Sequence, residues 1–264
     1  MKIGICGICG RMGISILELA LERGHELTVA FDSASSPCIG RDVNTLVHGN
    51  PFGVTIKPIN AGDAGTADCI LDFSSPAATM KLIPCLEEHG KGLVIGTTGF
   101  SDEQVGIIKK AAEKIPVVFS PNMAVGVNVL FKLTEMAAGA LNEFYDVEIL
   151  ESHHRLKKDA PSGTAKHLAE IVKNSMVGME DAQIITGRDG LVGERTNKEI
   201  AVMALRGGDI VGEHTVYFIG QGERIELTIR STNRETLSRG AVMAAEFLKG
   251  KGAGLYSMYD VLGL

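Results

Sequence analysis

With 264 residues, 45% apolar and 22% charged, the chain can bury a sizeable core and has the balance of an ordinary globular protein, which argues against disorder. A net charge of −6, no tryptophan and 5% aromatic residues argue against nucleic-acid and membrane partners, which favour basic faces and, for single strands, stacking platforms. Gly7, Gly10 and Gly13 interrupt the first apolar run, and no stretch approaches the ~20 apolar residues of a membrane span. Five cysteines without a framework spacing fit a reducing compartment, so a cytoplasmic location is expected.

Residues 3–6 predict a strand, and residues 14–23 a helix with Ile14, Leu17 and Leu21 along one face, ended by Gly24. Residues 27–31 give a second strand. The runs at 69–73 and 93–96 are apolar and bounded by turn residues, with a helix at 77–88 between them. A helix at 104–114, started by Ser101 or Asp102, leads to a strand at 117–119. Character changes after Pro121. Residues 129–141 read as helix, 147–150 as strand and 165–172 as helix; 200–205, 214–219 and 224–230 read as alternating strands with Gly-rich turns. Residues 240–248 close the chain as a last helix. The expected fold class is α/β: a doubly wound, Rossmann-type parallel sheet, then a second α+β domain of mixed sheet.

Gly7, Ile8, Cys9, Gly10, Arg11, Met12 and Gly13 follow the first strand and open the first helix. Glycines there permit a tight turn and close approach of the backbone to a pyrophosphate, and helix N-terminal amides favour its charge. The spacing is GxxGxxG, with Cys9 where the commoner fingerprint has glycine. Asp32 strengthens the reading, because an acid about 20 residues on accepts hydrogen bonds from an adenosine ribose. Asp32 disfavours a ribose 2′-phosphate and Ser33 offers no cation, so NADH is the expected cofactor; Arg11 leaves NADPH open. Cys6 and Cys9 also spell CxxC. With Cys38, Cys69 and Cys85 isolated no metal set is evident, and the pair reads as packing rather than redox chemistry.

His153, His154, Arg155, Lys157 and Lys158 make a dense positive spot on an acidic chain, in a loop between a strand and a helix. Pro161, Ser162, Gly163 and Thr164 resemble a helix start, with Pro in the first turn and a hydroxyl able to cap. The first amides, at Gly163 and Thr164, then suit an anion such as a carboxylate. Histidines titrate near neutral pH, and a lysine among other cations gives up its proton more readily. Either could protonate a carbon that becomes basic as hydride arrives next to it. The same residues also read as a solvated basic loop, and taken alone they leave both readings open. A metal is disfavoured, since the histidines lack a carboxylate or thiolate companion.

The run HHRLKKDAPSGTA at 153–165 closely resembles the signature of the 4-hydroxy-tetrahydrodipicolinate reductase family. The likeness extends in order along nearly the whole chain. It takes in the loop at 7–13, Gly96 to Phe100, Ser120 to Met123, GGDIVGEHT at 207–215 and GLYSMYDVL at 254–262. The resemblance implies NAD(P)H-dependent hydride transfer to a cyclic dicarboxylate, giving tetrahydrodipicolinate in lysine and diaminopimelate biosynthesis. It makes His153 the catalytic histidine, Lys157 the proton donor, His154 a substrate contact, and Gly163 with Thr164 the holder of a substrate carboxylate. Gly96, Thr97 and Thr98, with Ser120, Pro121, Asn122 and Met123, resemble the nicotinamide lining, and Asp32 the ribose-binding acid. Some members carry Arg beside that acid where this chain has Ser33, which favours NADH and leaves dual use open. A homotetramer built through second-domain sheets is implied, as are domain closure and a C-terminal segment returning to the first domain. The bounds are then 1–124, 125–234 and 235–264. Two other readings are a related two-domain amino-acid dehydrogenase and a nucleotide or redox sensor; neither accounts for residues 153–165.

Overall fold

The computed structural model describes residues 1–47, 53–141, 144–233 and 235–264, which divide into two compact units, Met1–Val125 with Glu235–Leu264, and Gly126–Arg234. The first unit starts with β1 (Lys2–Cys6), α1 (Arg11–Glu22), β2 (Glu26–Phe31), β3 (Ile56–Lys57), α2 (Ala61–Ala64), β4 (Cys69–Asp72), α3 (Pro76–His89), β5 (Gly92–Ile95), α4 (Asp102–Ala111) and β6 (Pro116–Phe119). The second holds α5 (Val125–Ala140), β7 (Asp146–His153), α6 (Gly163–Ser175), β8 (Gln183–Ile185), β9 (Glu199–Arg206), β10 (Gly212–Ile219) and β11 (Arg224–Ser231). Then α7 (Glu235–Leu248), β12 (Gly254–Tyr256) and α8 (Met258–Leu262) belong to the first unit again.

The first sheet has the order β12-β6-β5-β4-β1-β2-β3 and every pairing in it is parallel. Successive strand residues point to opposite faces. Cys69, Leu71, Val94 and Val118 accordingly pack with Ile16 and Leu17 of α1 and Ala241, Ala245 and Leu248 of α7. Their neighbours Ile70, Leu93, Ile95 and Val117 pack on the other face with Leu82 and Leu86 of α3 and Ile108 of α4. Strands buried on both sides read as continuous apolar runs, which is why the sequence marks them. Serines start the covering helices. Ser75 caps α3, and Ser101 caps α4 in a capping box with Gln104.

The second sheet, β11-β10-β7-β9-β8, is mixed: β10 is antiparallel to β7 and β11, while β9 is parallel to β7 and β8. Val147, Ile149, Val202, Val216 and Phe218 are buried, and α6 packs on β7 and β9 with Leu168, Ala169 and Val172 buried. The register sets His214 opposite Glu151 and Arg206 opposite His153.

Both sheet types match the alternation read from sequence. Several bounds differ. α4 stops at Ala111, short of the expected 114, because the chain tightens into a turn with Ile115 N donating to Ala111 O. α7 is not the last element, since β12 and α8 follow it. β3, α2, β8 and β12 are each four residues or fewer, too short to carry a periodic signal.

Candidate active site

The tight turn after β1 dictates the glycines. Gly7 has φ +85°, and a Cβ there would sit 2.4 Å from Phe73 O. A Cβ on Gly13 would meet Gly7 O at 2.3 Å, so α1 starts hard against the turn. Gly10 is the N-cap of α1 and supplies no side chain to cap it, unlike the serines that cap α3, α4 and α6. The first amides of α1 are therefore left for an anion. Asp32, just past β2, turns back to the loop: its Oδ2 accepts from Cys9 N at 2.8 Å and its Oδ1 from Ser33 N at 2.7 Å. Beside it lies a cavity of about 680 Å³ whose lining includes Gly7, Gly10, Asp32, Ser33, Phe73 and Lys81. An uncapped helix start, a glycine turn that brings backbone close and an oriented acid beside the cavity fit the diphosphate and ribose of a dinucleotide.

The other expected cofactor residues are placed unevenly. The Ile8 and Met123 side chains lie in the core, so only their backbone is open to a ligand. Arg11 is exposed at the first turn of α1 and does not line the cavity. Gly96 packs under the Phe73 ring, where a Cβ would come within 2.1 Å. Thr97 is buried, its Oγ1 accepting from Ser74 N at 3.0 Å, while Thr98 is exposed. Ser120 Oγ donates to Asn122 O, and Asn122 Oδ1 accepts from Ala124 N. Pro121 is exposed. Burial pushes the Cys6 thiol up, and burial and Cys38 push Cys9 up to about 12, so neither is a ready thiolate. All five cysteines are free, and the described residues hold no group of side chains able to bind a metal.

In the second unit, residues 151–163 fold around one carboxylate. Glu151 is wholly buried. Its Oε2 accepts from His153 Nδ1 at 2.5 Å and Arg206 Nη1 at 2.8 Å; its Oε1 accepts from Arg206 Nη2 at 2.7 Å and Ser162 N at 3.0 Å. Burial pushes Glu151 up, but the Arg206, His153 and Ser162 hydrogen bonds outweigh it and hold it below the usual carboxylate range. Burial holds His153 below the ordinary imidazole value despite Glu151, so the ring is neutral at pH 7. The buried His214 ring meets His153 edge-on, centroids 5.3 Å apart, and is pushed down to about 4 by burial first and then by His153.

Ser162 caps α6, its Oγ accepting from Ala165 N at 3.2 Å, which makes Gly163 and Thr164 the first residues of the helix. Pro161 thus precedes the cap instead of lying in the first turn. Lys157 keeps the company of an acid rather than of other cations: Nζ donates to Asp159 Oδ1 at 2.8 Å and Oδ2 at 3.0 Å. His154 Nδ1, His214 Nδ1 and Arg206 Nε are buried without a protein partner. Glu151, Arg206 and His214 were assigned no role from sequence. A buried acid two residues before the histidine was the available signal, since i and i+2 share a strand face.

Two family models cover the chain: dihydrodipicolinate reductase, N-terminus, matches residues 1–123, and dihydrodipicolinate reductase, C-terminus, matches residues 126–262. The chain belongs to the dihydrodipicolinate reductase family. The 4-hydroxy-tetrahydrodipicolinate reductase of Aromatoleum aromaticum is 46% identical over 265 residues, covering 100% of this chain and 96% of its own. That of Anaeromyxobacter sp. (strain Fw109-5) is 48% identical over 266 residues, covering 100% and 98%. A dipicolinate-bound dihydrodipicolinate reductase from Paenisporosarcina sp. TG-14 shares the fold with a TM-score of 0.78 at 23% identity, covering 98% of each chain. Aspartate semialdehyde dehydrogenase II from Vibrio cholerae reaches a TM-score of 0.58 at 13% identity, covering 95% of this chain and 98% of its own, a likeness of fold alone. As a family member this reductase is an NAD(P)H-dependent oxidoreductase of lysine and diaminopimelate biosynthesis, acting on 4-hydroxy-tetrahydrodipicolinate. Among the described residues no helix is long and apolar enough to cross a membrane.

Proposed function

We propose that residues 153–164 hold the cyclic dicarboxylate and protonate it, and that the turn at 7–13 with Asp32 holds the dinucleotide. The bound nicotinamide supplies the hydride. One substrate carboxylate lies on the amides of Gly163 and Thr164 at the start of α6, where the helix dipole favours negative charge. His154, whose Nδ1 has no protein partner, contacts the same substrate. Lys157 gives the proton, moving off Asp159 to do so, and neutral His153 assists by accepting a hydrogen bond through Nε2. The observation that carries this reading is the grip of Glu151 on both His153 and Ser162, which ties a titrating ring to a helix start.

Gly96, Thr97 and Thr98, and Ser120 to Met123, complete the nicotinamide side. NADH is the preferred donor, because Asp32 faces the cavity beside Ser33 with no cation next to it in the chain. Lys81, the cation that lines the cavity among the described residues, permits NADPH as well. The reductase works as a homotetramer in the cytoplasm, joined through its second sheet. The test follows oxidation of NADH and of NADPH in parallel, with freshly made dihydrodipicolinate synthase product. Turnover with both and a higher kcat/KM for NADH is expected. Reduction of aspartate semialdehyde or oxidation of homoserine without turnover of the ring would overturn it.

A further inference from the structure

The carboxylate of Glu151 meets four donors: two from Arg206, one from the Ser162 backbone and one from His153. A carboxylate offers about four lone-pair sites and donates nothing when ionised. Every site is therefore used, and the His153 Nδ1 atom facing Oε2 has to carry a hydrogen. The neutral ring then has its lone pair on Nε2, the nitrogen nearest a Cβ on Gly212, at 3.2 Å. The Arg206 guanidinium is pinned from behind, Nη1 donating to Leu205 O and Nη2 to Asp159 O, each at 2.7 Å. The charged and titratable groups around the ring are Glu151 on its own strand, Arg206 on β9, His214 on β10 and Lys157 in the loop beyond.

We propose that Glu151, clamped by Arg206, is a positioning residue for the reduction: it fixes the Nδ1–H tautomer and orientation of His153 and, through Ser162 N, sets the start of α6 against the same point. The inference rests on the reading of His153 and the α6 start as parts of one substrate site. It adds a residue that touches neither substrate nor cofactor yet governs both a proton-handling ring and a carboxylate cradle. Two residues apart on one strand, Glu151 and His153 share a face, and the parallel pairing of β7 with β9 brings Arg206 alongside them. A buried acid without Arg206 would be an uncompensated charge, so the clamp is what keeps Glu151 ionised for this task.

The test combines kinetics with nitrogen NMR of the histidine-labelled reductase near pH 7.5. In the native protein His153 should show a protonated Nδ1 and a bare Nε2. In Glu151→Gln that fixed pattern should be lost and kcat should fall on the order of 10²-fold, the lower end of what positioned acid–base groups contribute. KM for the ring should rise, KM for NADH should hold, and the acidic limb of the kcat profile should move to lower pH. Arg206→Lys, which keeps the charge and loses the fork, should give a smaller fall of the same kind. An unprotonated Nδ1 in the native protein overturns the proposal even if Glu151→Gln does not fold. So does an unchanged His153 pattern in a folded Glu151→Gln. A changed pattern with native turnover leaves Glu151 as the holder of the ring and overturns instead the catalytic reading of His153.

Discussion

A histidine with 4% of its surface exposed stays folded cheaply only while neutral, and His214 is such a residue. Burial and the adjacent His153 push it from 6.5 down to about 4. The unfolded chain therefore takes up a proton at higher pH than the folded one, and stability falls as pH drops through 6.5 towards 4. The loss due to this group is about 3 kcal/mol across that window. Urea unfolding at pH 7 and pH 4.5 should show a steeper decline for the native protein than for His214→Gln; equal slopes would deny the ring this role. For catalysis, Lys157→Ala should lower kcat by on the order of 10²- to 10⁴-fold, with cofactor affinity unchanged. Equal losses in kcat and NADH binding would place Lys157 elsewhere. Lys81→Ala should lower kcat/KM with NADPH more than with NADH, since a 2′-phosphate adds charge beside Asp32 for it to offset; a uniform loss would make it a general cavity contact. The sequence exposed His153, His154 and Lys157 because charge density in a loop is a local pattern. It hid Arg206 and His214 because they lie on other strands and meet β7 only through register, and the task of Glu151, two residues before His153, shows only once they do.

At the scale of elements, α7 crosses the 120–123 loop in close contact at Gly240. A Cβ on Gly240 would lie 1.7 Å from Met123 O, a backbone atom that cannot swing away. Gly240→Ala should therefore destabilise by about 3 kcal/mol, the upper part of the range for overpacking, and raise KM for the cofactor by shifting that loop. A native urea midpoint would show that helix and loop yield freely. Glycine in a helix reads from sequence only as a weakness, so this contact was not legible at residue 240. Other elements were legible despite their length, since β4, β5 and β6 are near-continuous apolar runs, and α3 and α4 begin at serines. β12 was not: three residues join the sheet beside β6 because pairing, not pattern, holds them. α8 did leave a trace, the Ser257–Asp260 capping box.

The whole molecule ends its second sheet on β11, eight residues long, with Ile225 exposed and no strand beyond it among the described residues. Long exposed edges invite pairing, and stable proteins shorten, charge or cover them. The opposite edge, β8, has three residues and needs no such cover. Near β7 and β9 the 186–198 segment is pinned by Arg188 to Glu148 and Glu199, and by Arg195 to Asp146 and Glu148. Those pins hold Leu191 and Val192 out in solvent, where two neighbouring apolar side chains gain nothing unless another surface covers them. Copies of the chain supply such a surface at no cost in new sequence, and closed symmetry satisfies every edge. The homotetramer that the family resemblance implies should appear in sedimentation velocity as a species of four chains. Ile225→Asp, which sets a charge on the edge, should shift it to smaller species while leaving the fold of each unit intact by circular dichroism. A native protein that sediments as one chain at micromolar concentration would remove the need for a cover and with it the tetramer.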